Sequence, residues 1–441
     1  MTNVTEKDAV TQLEVRRSWR TLLSDFATLA TGEAAGRLIG LGAVLAMARR
    51  LGPDGFGVIT FGLTMIGWFA VFQDSGTELL NVREVARRPQ SFRPTVERVL
   101  GLRLTMSILA MAGFALLVSF MSKAAIHRNT LLGFTLLLPA LALNLRMMVL
   151  GVRGARAVAA GNIVARTVLL IGVLLLVTDR NSLHLVPFLQ LAAELAYAAI
   201  ILILVSRRFG WIRPRVDLAS WKSTLQQSYP LMANAIARGI TLSFDVFLIG
   251  VILRPSDVGV YGAASKPSLF VMGALGLFGV SFLSTYSSVP LDVSVALLRR
   301  TLATALLLTI PAAVILSAGS GTIIPLLFGD RYARGADVLA IASWGIPLAA
   351  LAGPLWTVLL CANQQVVIMR NAFAVAAFVV VADGVAVPLG GIDGAAVVGV
   401  ASAAISLVIN YRSAVSRNLI PPIGALVSGR LPTPAERGAG A

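Results

Sequence analysis

The stretch Leu51–Val58, with the sequence LGPDGFGV, recurs in the second half of the chain as Leu253–Val260, with the sequence LRPSDVGV. The offset is 202 residues without a gap, and leucine, proline, glycine and valine coincide. Each copy joins the first two long apolar stretches of its half. Asn162 and Asn371 also hold similar places in the fifth apolar stretch of each half. The chain is therefore expected to contain an internal repeat of two similar halves.

Apolar stretches of membrane-crossing length surround both copies. A helix needs about 20 apolar residues to cross a hydrocarbon core of ~30 Å. Twelve stretches approach or exceed this length: 26–48, 56–74, 101–121, 130–151, 158–178, 183–206, 226–252, 266–288, 301–318, 336–361, 366–388 and 392–412. The predicted fold class is all-α, a polytopic membrane protein of about 12 transmembrane helices.

The two halves are expected to cross the membrane in the same direction, because six helices separate equivalent positions. Parallel repeats are related by an axis along the membrane normal. We therefore expect two six-helix bundles around a central cleft. The predicted domains are an N-terminal tail (1–25), an N-terminal lobe (26–206), a basic linker (207–222), a C-terminal lobe (223–412) and a C-terminal tail (413–441).

The composition excludes a soluble globular protein. Hydrophobic residues make up 57% of the chain and charged residues 13%, with a mean hydropathy of +0.82. Soluble domains carry about 25% charged residues. The single cysteine, Cys361, excludes an intrachain disulfide.

The net charge of +16 is explained by basic loops. With the N-terminus inside, the inner segments hold 23 Lys and Arg residues and the outer loops hold 9, Lys266 among them. Cytoplasmic loops of membrane proteins are enriched in these residues. Both termini are therefore predicted to be cytoplasmic, and no nucleic-acid partner is expected.

Charged residues inside the predicted helices are the candidate site, since each costs ~2.5–3.5 kcal/mol at a helix centre on insertion scales. Glu33 and Arg37 share one helix face at i,i+4, and Arg238 and Asp245 share another. Arg238 lies one residue from the repeat equivalent of Arg37. Two arginines at matching depth suit a pyrophosphate, because guanidinium binds phosphate oxygens in a forked geometry.

A structural interpretation of these charges stays open. In one interpretation, Glu33 and Arg37 form a structural ion pair that neutralises itself. In the other, both side chains face a water-filled cleft, where Arg37 meets an anionic substrate. Arg146 and Arg166 are further candidates for substrate binding, although they can instead snorkel or pair with Glu194. Asp383 lies near a predicted helix end and is expected to be exposed.

The chain carries no recognisable catalytic chemistry. His127 and His184 lack Cys or carboxylate neighbours at ligand spacing, so no metal site is expected. No Gly-rich phosphate loop precedes a Lys-Ser/Thr pair, so no ATPase or cofactor site is predicted. The predicted outer loops are too short for a membrane glycosyltransferase or polymerase. We therefore predict that the protein is not an enzyme.

Four regions resemble one family, the lipid-linked oligosaccharide flippases of the multidrug/oligosaccharidyl-lipid/polysaccharide exporter superfamily. The first combines Arg37–Gly40 with Ala48–Gly57. The others are Asp74–Glu84, Asp245–Gly250 leading to Val258–Tyr261, and Leu327–Tyr332. They are spread over nearly the whole chain and occur in the family's order.

This resemblance implies a flippase that moves an undecaprenyl-pyrophosphate-linked oligosaccharide from the inner to the outer leaflet of a bacterial plasma membrane. The pathway would be exopolysaccharide, capsule or O-antigen assembly, with glycosyltransferases and polymerase or export proteins as partners beside the membrane lipids. Related lipid II flippases carry a cavity arginine in helix one, which Arg37 matches, but their other cavity arginines find no clear match. Alternating access would be driven by an ion gradient or membrane potential, with Asp245 and Glu33 as coupling candidates.

Three alternatives remain. A drug/cation antiporter of the same superfamily would use an acidic cavity. A membrane glycan polymerase would need a large outer loop. A scaffold subunit without transport activity is also compatible with the sequence.

Overall fold

The computed structural model describes residues 3–424, except 79, 82–84, 86–88, 122–124, 153 and 287–290. Side chains are described for these residues apart from 3–26, 89, 121, 125–126, 274–286 and 291–295. The ends of both predicted tails (1–2 and 425–441) and part of the Asp74–Glu84 motif lie outside the described residues.

The described chain is almost entirely helical. The helical segment Asn3–Asp74 is interrupted at Gly52, whose φ of 70° is non-helical, and its parts are α1 (3–51) and α2 (53–74). Gln365–Val415 is interrupted likewise at Gly391, giving α15 (365–390) and α16 (392–415). The helices between them are α3 (Phe92–Met121), α4 (Ala125–Phe134), α5 (Leu137–Ala142), α6 (Arg146–Gly151), α7 (Ala155–Leu176), α8 (Val186–Phe209), α9 (Leu218–Ile252), α10 (Pro255–Tyr286), α11 (Leu291–Ala318), α12 (Ser320–Phe328), α13 (Gly335–Ala342) and α14 (Gly345–Cys361).

The helix lengths confirm the predicted fold class, an all-α polytopic membrane protein. Within the described residues, nine continuous segments are long and apolar enough to cross a membrane. Two of them, of 48 and 51 residues, each contain two crossings separated by a glycine. The 32-residue helix α10, whose side chains are only partly described, is long enough for a twelfth crossing.

The helices form two compact units. The first runs through Ala46 and resumes over Phe72–Leu231, and the second comprises Met47–Val71 and the chain from Met232 onward. Helix α2 thus packs with the second half of the chain. The lobe boundaries 26–206 and 223–412 stay predictions.

In the first unit, α7 packs closely on α8. A Cβ on Gly161 would meet the Tyr197 ring at 3.0 Å, so the two helices approach through a glycine. Phe114, Phe134 and Leu138 are fully buried beside this pair. The loop after α8 folds back on α3, where Arg215 N–H donates to the Glu97 carbonyl at 2.9 Å.

In the second unit, α14 packs on α15 and α16 around an apolar cluster that includes Leu355, Leu359 and Ala414. A buried polar contact joins α15 to α16. The Asn371 amide donates to Asn410 Oδ1 at 3.0 Å and to Ser413 Oγ at 3.1 Å. These hydrogen bonds satisfy groups that would be costly to bury alone.

The repeated motif brings α2 against α10 in the second unit. A Cβ on Gly57 would meet the Pro255 carbonyl and lie 3.0 Å from Gly259 N, and a Cβ on Gly259 would meet the Pro53 carbonyl and lie 3.0 Å from Gly57 N. The two copies of the motif therefore contact each other reciprocally, backbone to backbone. Only glycine at both positions permits this approach.

We expect Gly57→Ala to destabilise the protein, because the new Cβ enters backbone atoms of α10. Overpacking of this kind costs ~1–3 kcal/mol. Gly67→Ala is the matched control on the same helix, since nothing lies within 4 Å of its Cβ position. The measurement is the apparent melting temperature in detergent. Equal melting of the two variants would contradict the close contact.

Candidate functional site

The first unit brings Glu33, Arg37 and Arg146 together. Arg146 Nη2 donates to Glu33 Oε2 at 3.0 Å, and Arg37 Nε lies 3.6 Å from Glu33 Oε1. Asn162 Nδ2 adds a contact of 3.4 Å to Oε2. The side chains of Arg37 and Arg146 are 42% and 37% exposed. The two guanidinium groups therefore share one carboxylate and retain open surface.

Arg146 reaches Glu33 because the fourth membrane helix is broken. Helix α5 ends at Ala142, residues 143–145 are not helical, and α6 begins at Arg146. Asn144 Oδ1 accepts a hydrogen bond from Arg146 N–H at 3.1 Å, and Glu78 Oε1 accepts one from Met147 N–H at 3.3 Å. These side chains satisfy amide groups at the start of α6 that the break leaves without helical partners.

Arg103 holds the broken segment from the other side. Arg103 is only 4% exposed, and its guanidinium donates through Nη1 to the Asn144 carbonyl at 2.7 Å. Nη2 forms an ion pair with Asp74 and lies 3.7 Å from Glu78 Oε2. The break, Arg103 and the two carboxylates therefore form one connected cluster.

Sequence reasoning missed Asp74, Glu78 and Arg103 as site residues. Arg103 was counted with an inner loop, whereas it lies in the interior of α3. The signal was available, since a lone arginine in the apolar run VLGLRLTM requires a buried partner. With the missed residues included, three arginines (37, 103 and 146) face three carboxylates (33, 74 and 78), so the connected charges sum to zero.

Arg166 lies on the next turn of this site but forms no hydrogen bond within the described residues. It is exposed, it interacts electrostatically with Glu194, and its Cδ lies 3.4 Å from a Cβ placed on Gly40 of α1. Tyr197 lies among the same charges, and its buried hydroxyl has no hydrogen-bond partner in the described part of the chain.

In the second unit, Asp245 is joined to Tyr261 rather than to Arg238. The Tyr261 hydroxyl donates to Asp245 Oδ2. Asp383 interacts electrostatically with both residues. The expectation that Asp383 is exposed is wrong. Asp383 is 1% exposed, and neither carboxylate oxygen has a hydrogen-bond partner among the described residues.

Arg238 is exposed on α9 and forms no ion pair with the described residues. Arg37 belongs to the first unit and Arg238 to the second. Their predicted matching depth stays a prediction.

Lys266 is not in an outer loop, as the charge count assumed. Helix α10 begins at Pro255, so Lys266 lies about 16 Å along it at 1.5 Å per residue. It shares a helix face with Gly259 and Gly262 and has no ion pair or hydrogen bond among the described residues. Lys266 is therefore a cation in the interior of a long apolar helix rather than in a loop.

We expect Arg103→Gln to destabilise the protein by ~3–5 kcal/mol, because it leaves two partly buried carboxylates without their cation. Arg93→Gln is the control, since it removes an exposed ion pair with Glu97 at 3.1 Å that contributes ~0–1 kcal/mol. Thermal unfolding in detergent measures both. An equal, small effect would show that Arg103 does not hold the cluster.

Comparison with solved structures shows which fold the helices adopt. An inward-facing transporter of the multidrug resistance MATE family matches with a TM-score of 0.69 and 11% identity, over 90% of this chain and 96% of that chain. The lipid II flippase MurJ in an inward closed conformation matches with a TM-score of 0.68 and 15% identity, over 90% and 89%. A MOP-superfamily transporter from Pyrococcus furiosus, described as having a binding pocket of reverse polarity, matches with a TM-score of 0.62 and 10% identity, over 92% and 96%.

Comparison with curated proteins finds no match. The sequence profile of a family described as polysaccharide biosynthesis protein matches residues 22–283. That match covers more than half of the chain. The protein therefore belongs to the polysaccharide biosynthesis protein family and has the fold of MOP-superfamily transporters.

Proposed function

We propose that this protein is a flippase that moves an undecaprenyl-pyrophosphate-linked oligosaccharide from the inner to the outer leaflet of a bacterial plasma membrane. The observation that carries the proposal is that two partly exposed arginines, Arg37 and Arg146, both lie next to the single carboxylate of Glu33. The family match and the likeness in fold to a lipid II flippase support it.

The arginine pair suits a pyrophosphate. Arg37 lies 3.6 Å from Glu33, beyond hydrogen-bond distance, so its N–H groups are available to a ligand. A bidentate arginine contact with phosphate oxygens is among the strongest charge-assisted hydrogen bonds. Arg146 offers a second guanidinium on the opposite side of the same carboxylate.

Glu33 sets the charge of this site. The connected cluster is neutral without a ligand, because each arginine is balanced by a carboxylate. An anion that binds Arg37 and Arg146 must compete with Glu33 for both of them. Glu33 is therefore a candidate for coupling anion binding to an ion gradient.

The second unit supplies further cations and the second coupling candidate. Arg238 and Lys266 are intramembrane cations without partners among the described residues, and each suits an anionic head group. Asp245 and Asp383 are two carboxylates that interact beside Tyr261. A buried carboxylate without a hydrogen bond is costly unless it binds a cation or a proton. We assign ion coupling to this pair.

A drug/cation antiporter is the second candidate function, and the Asp245–Asp383 pair favours it, since an acidic site attracts organic cations. The arginines of the first unit favour an anion.

The proposed flippase is a multi-pass membrane protein with both termini cytoplasmic. Glycosyltransferases would supply its substrate, and polymerase or export proteins would receive it.

The test is the sidedness of the undecaprenyl-linked glycan in cells that lack the protein. We expect accumulation on the cytoplasmic face, cured by the wild type and by Arg180→Ala, which removes an exposed arginine in the loop before α8. Arg37→Ala should fail to cure it at equal expression, because the phosphate ligand is lost. If the glycan reaches the outer leaflet without the protein and without a second flippase, the proposal is wrong and drug export should be assayed.

Ion coupling predicts that Asp383→Asn abolishes the dependence of transport on an imposed ion gradient. The same substitution should raise the melting temperature, because it removes an unpartnered buried charge. Asp393→Asn is the control, an exposed carboxylate in α16. The measurement is transport in proteoliposomes with and without an imposed ion gradient. Unchanged gradient dependence in Asp383→Asn would exclude this residue from coupling.

A further inference from the structure

The segment between α8 and α9, residues 210–217, is fixed along the start of α3. Besides the bond from Arg215 to the Glu97 carbonyl, Arg213 N–H donates to Glu97 Oε1 at 3.3 Å. The rings of Phe92 and Phe209 stack at 4.2 Å between centroids. A Cβ on Gly101 would meet the Arg215 carbonyl, so the segment's backbone lies directly on α3.

Because the backbone makes these contacts, the basic side chains face outward. Arg207, Arg213, Arg215 and Lys222 are exposed and form no ion pair within 4.0 Å among the described residues. Residues 207–222 hold five cations and one acid, Asp217, for a net charge of +4. We call residues 207–222 the basic surface.

The few acids nearby are already engaged. Glu97 pairs with Arg93 at 3.1 Å. Asp217 accepts a hydrogen bond from Ser220 N–H at 3.1 Å at the start of α9, and this bond lowers the pKa of its carboxyl. Asp217 therefore stays ionised at neutral pH but is occupied, and the basic surface keeps its excess of positive charge.

Large apolar side chains are exposed on the same surface. Trp211 is 72% exposed, Val216 70% and Leu218 73%. The segment begins directly after the membrane-crossing helix α8, which favours a position beside the lipid head groups. Tryptophan is enriched at that level, where its ring contacts the acyl boundary.

We propose that the basic surface is a binding site for anionic phospholipid head groups of the adjacent leaflet. Arg207, Arg213, Arg215 and Lys222 bind the phosphates, while Trp211, Val216 and Leu218 insert beside the acyl chains. Basic clusters next to a membrane helix attract anionic lipids. The exposed apolar side chains favour a membrane over an acidic soluble protein, which would meet only the charges. This site does not depend on which solute the protein moves.

The experiment uses the full-length protein in phosphatidylcholine nanodiscs with increasing fractions of brominated phosphatidylglycerol or, separately, brominated phosphatidylcholine. Bromine quenches nearby tryptophan, and the Trp211 signal is the difference between the wild type and Trp211→Phe. We expect half-maximal quenching at a several-fold lower fraction of the anionic lipid. Raised salt should reduce this preference, because exposed charges are screened.

The combined Arg207→Gln, Arg213→Gln, Arg215→Gln variant should lose most of this several-fold preference, because basic residues next to a membrane helix attract anionic lipids. The combined Arg180→Gln, Arg331→Gln, Arg334→Gln variant removes the same charge elsewhere and should keep it. If the first variant does not fold, the salt dependence of the wild type decides. Equal quenching by the two lipids, or equal loss in both variants, would overturn the proposal and favour an acidic protein partner.

Discussion

The guanidinium of Arg103 is the contact on which the first unit's site depends. It belongs to α3 and contacts both Asp74, the last residue of α2, and the break in the fourth membrane helix. A break in a membrane helix exposes backbone groups that hydrocarbon cannot satisfy, so it persists only where protein groups satisfy them. Arg103 and Glu78 supply those groups. Arg103 and Glu78 therefore have two roles. They satisfy backbone groups that the helix break exposes, and they neutralise each other's charge.

The two units handle intramembrane charge in different ways. In the first, Glu33 and Glu78 each lie near two arginines, and the connected cluster is neutral. In the second, Asp383 has no partner among the described residues, and Lys266 has none either. A neutral cluster tolerates a hydrophobic surrounding, whereas an isolated charge requires a ligand or water. Among the described residues, the second unit therefore holds the charges that no neighbouring side chain balances.

The sequence predicts local features of the site well and long-range ones poorly. The helices follow from hydrophobic length, and the contact of Glu33 with Arg37 follows from i,i+4 spacing. The sequence does not predict the contact of Arg146 with Glu33, because the position of Arg146 depends on the helix break. The two residues that hold this break, Arg103 and Glu78, lie 43 and 68 positions before Arg146 in the sequence. Lys266 was misplaced because the predicted membrane stretch begins at residue 266, whereas helix α10 begins at Pro255, a favoured residue at the start of a helix.

The contact between Gly57 and Gly259 bears on how the two halves of the chain can change over evolution. After a duplication, the copies normally drift apart one position at a time. Here a side chain on either glycine would enter the proline carbonyl of the other copy and lie 3.0 Å from the other glycine's amide nitrogen, so neither glycine can be replaced alone. Mutual exclusion of this kind ties the two positions together, however much the rest of each half changes. The motif is recognisable in both halves at the place where its two copies contact each other.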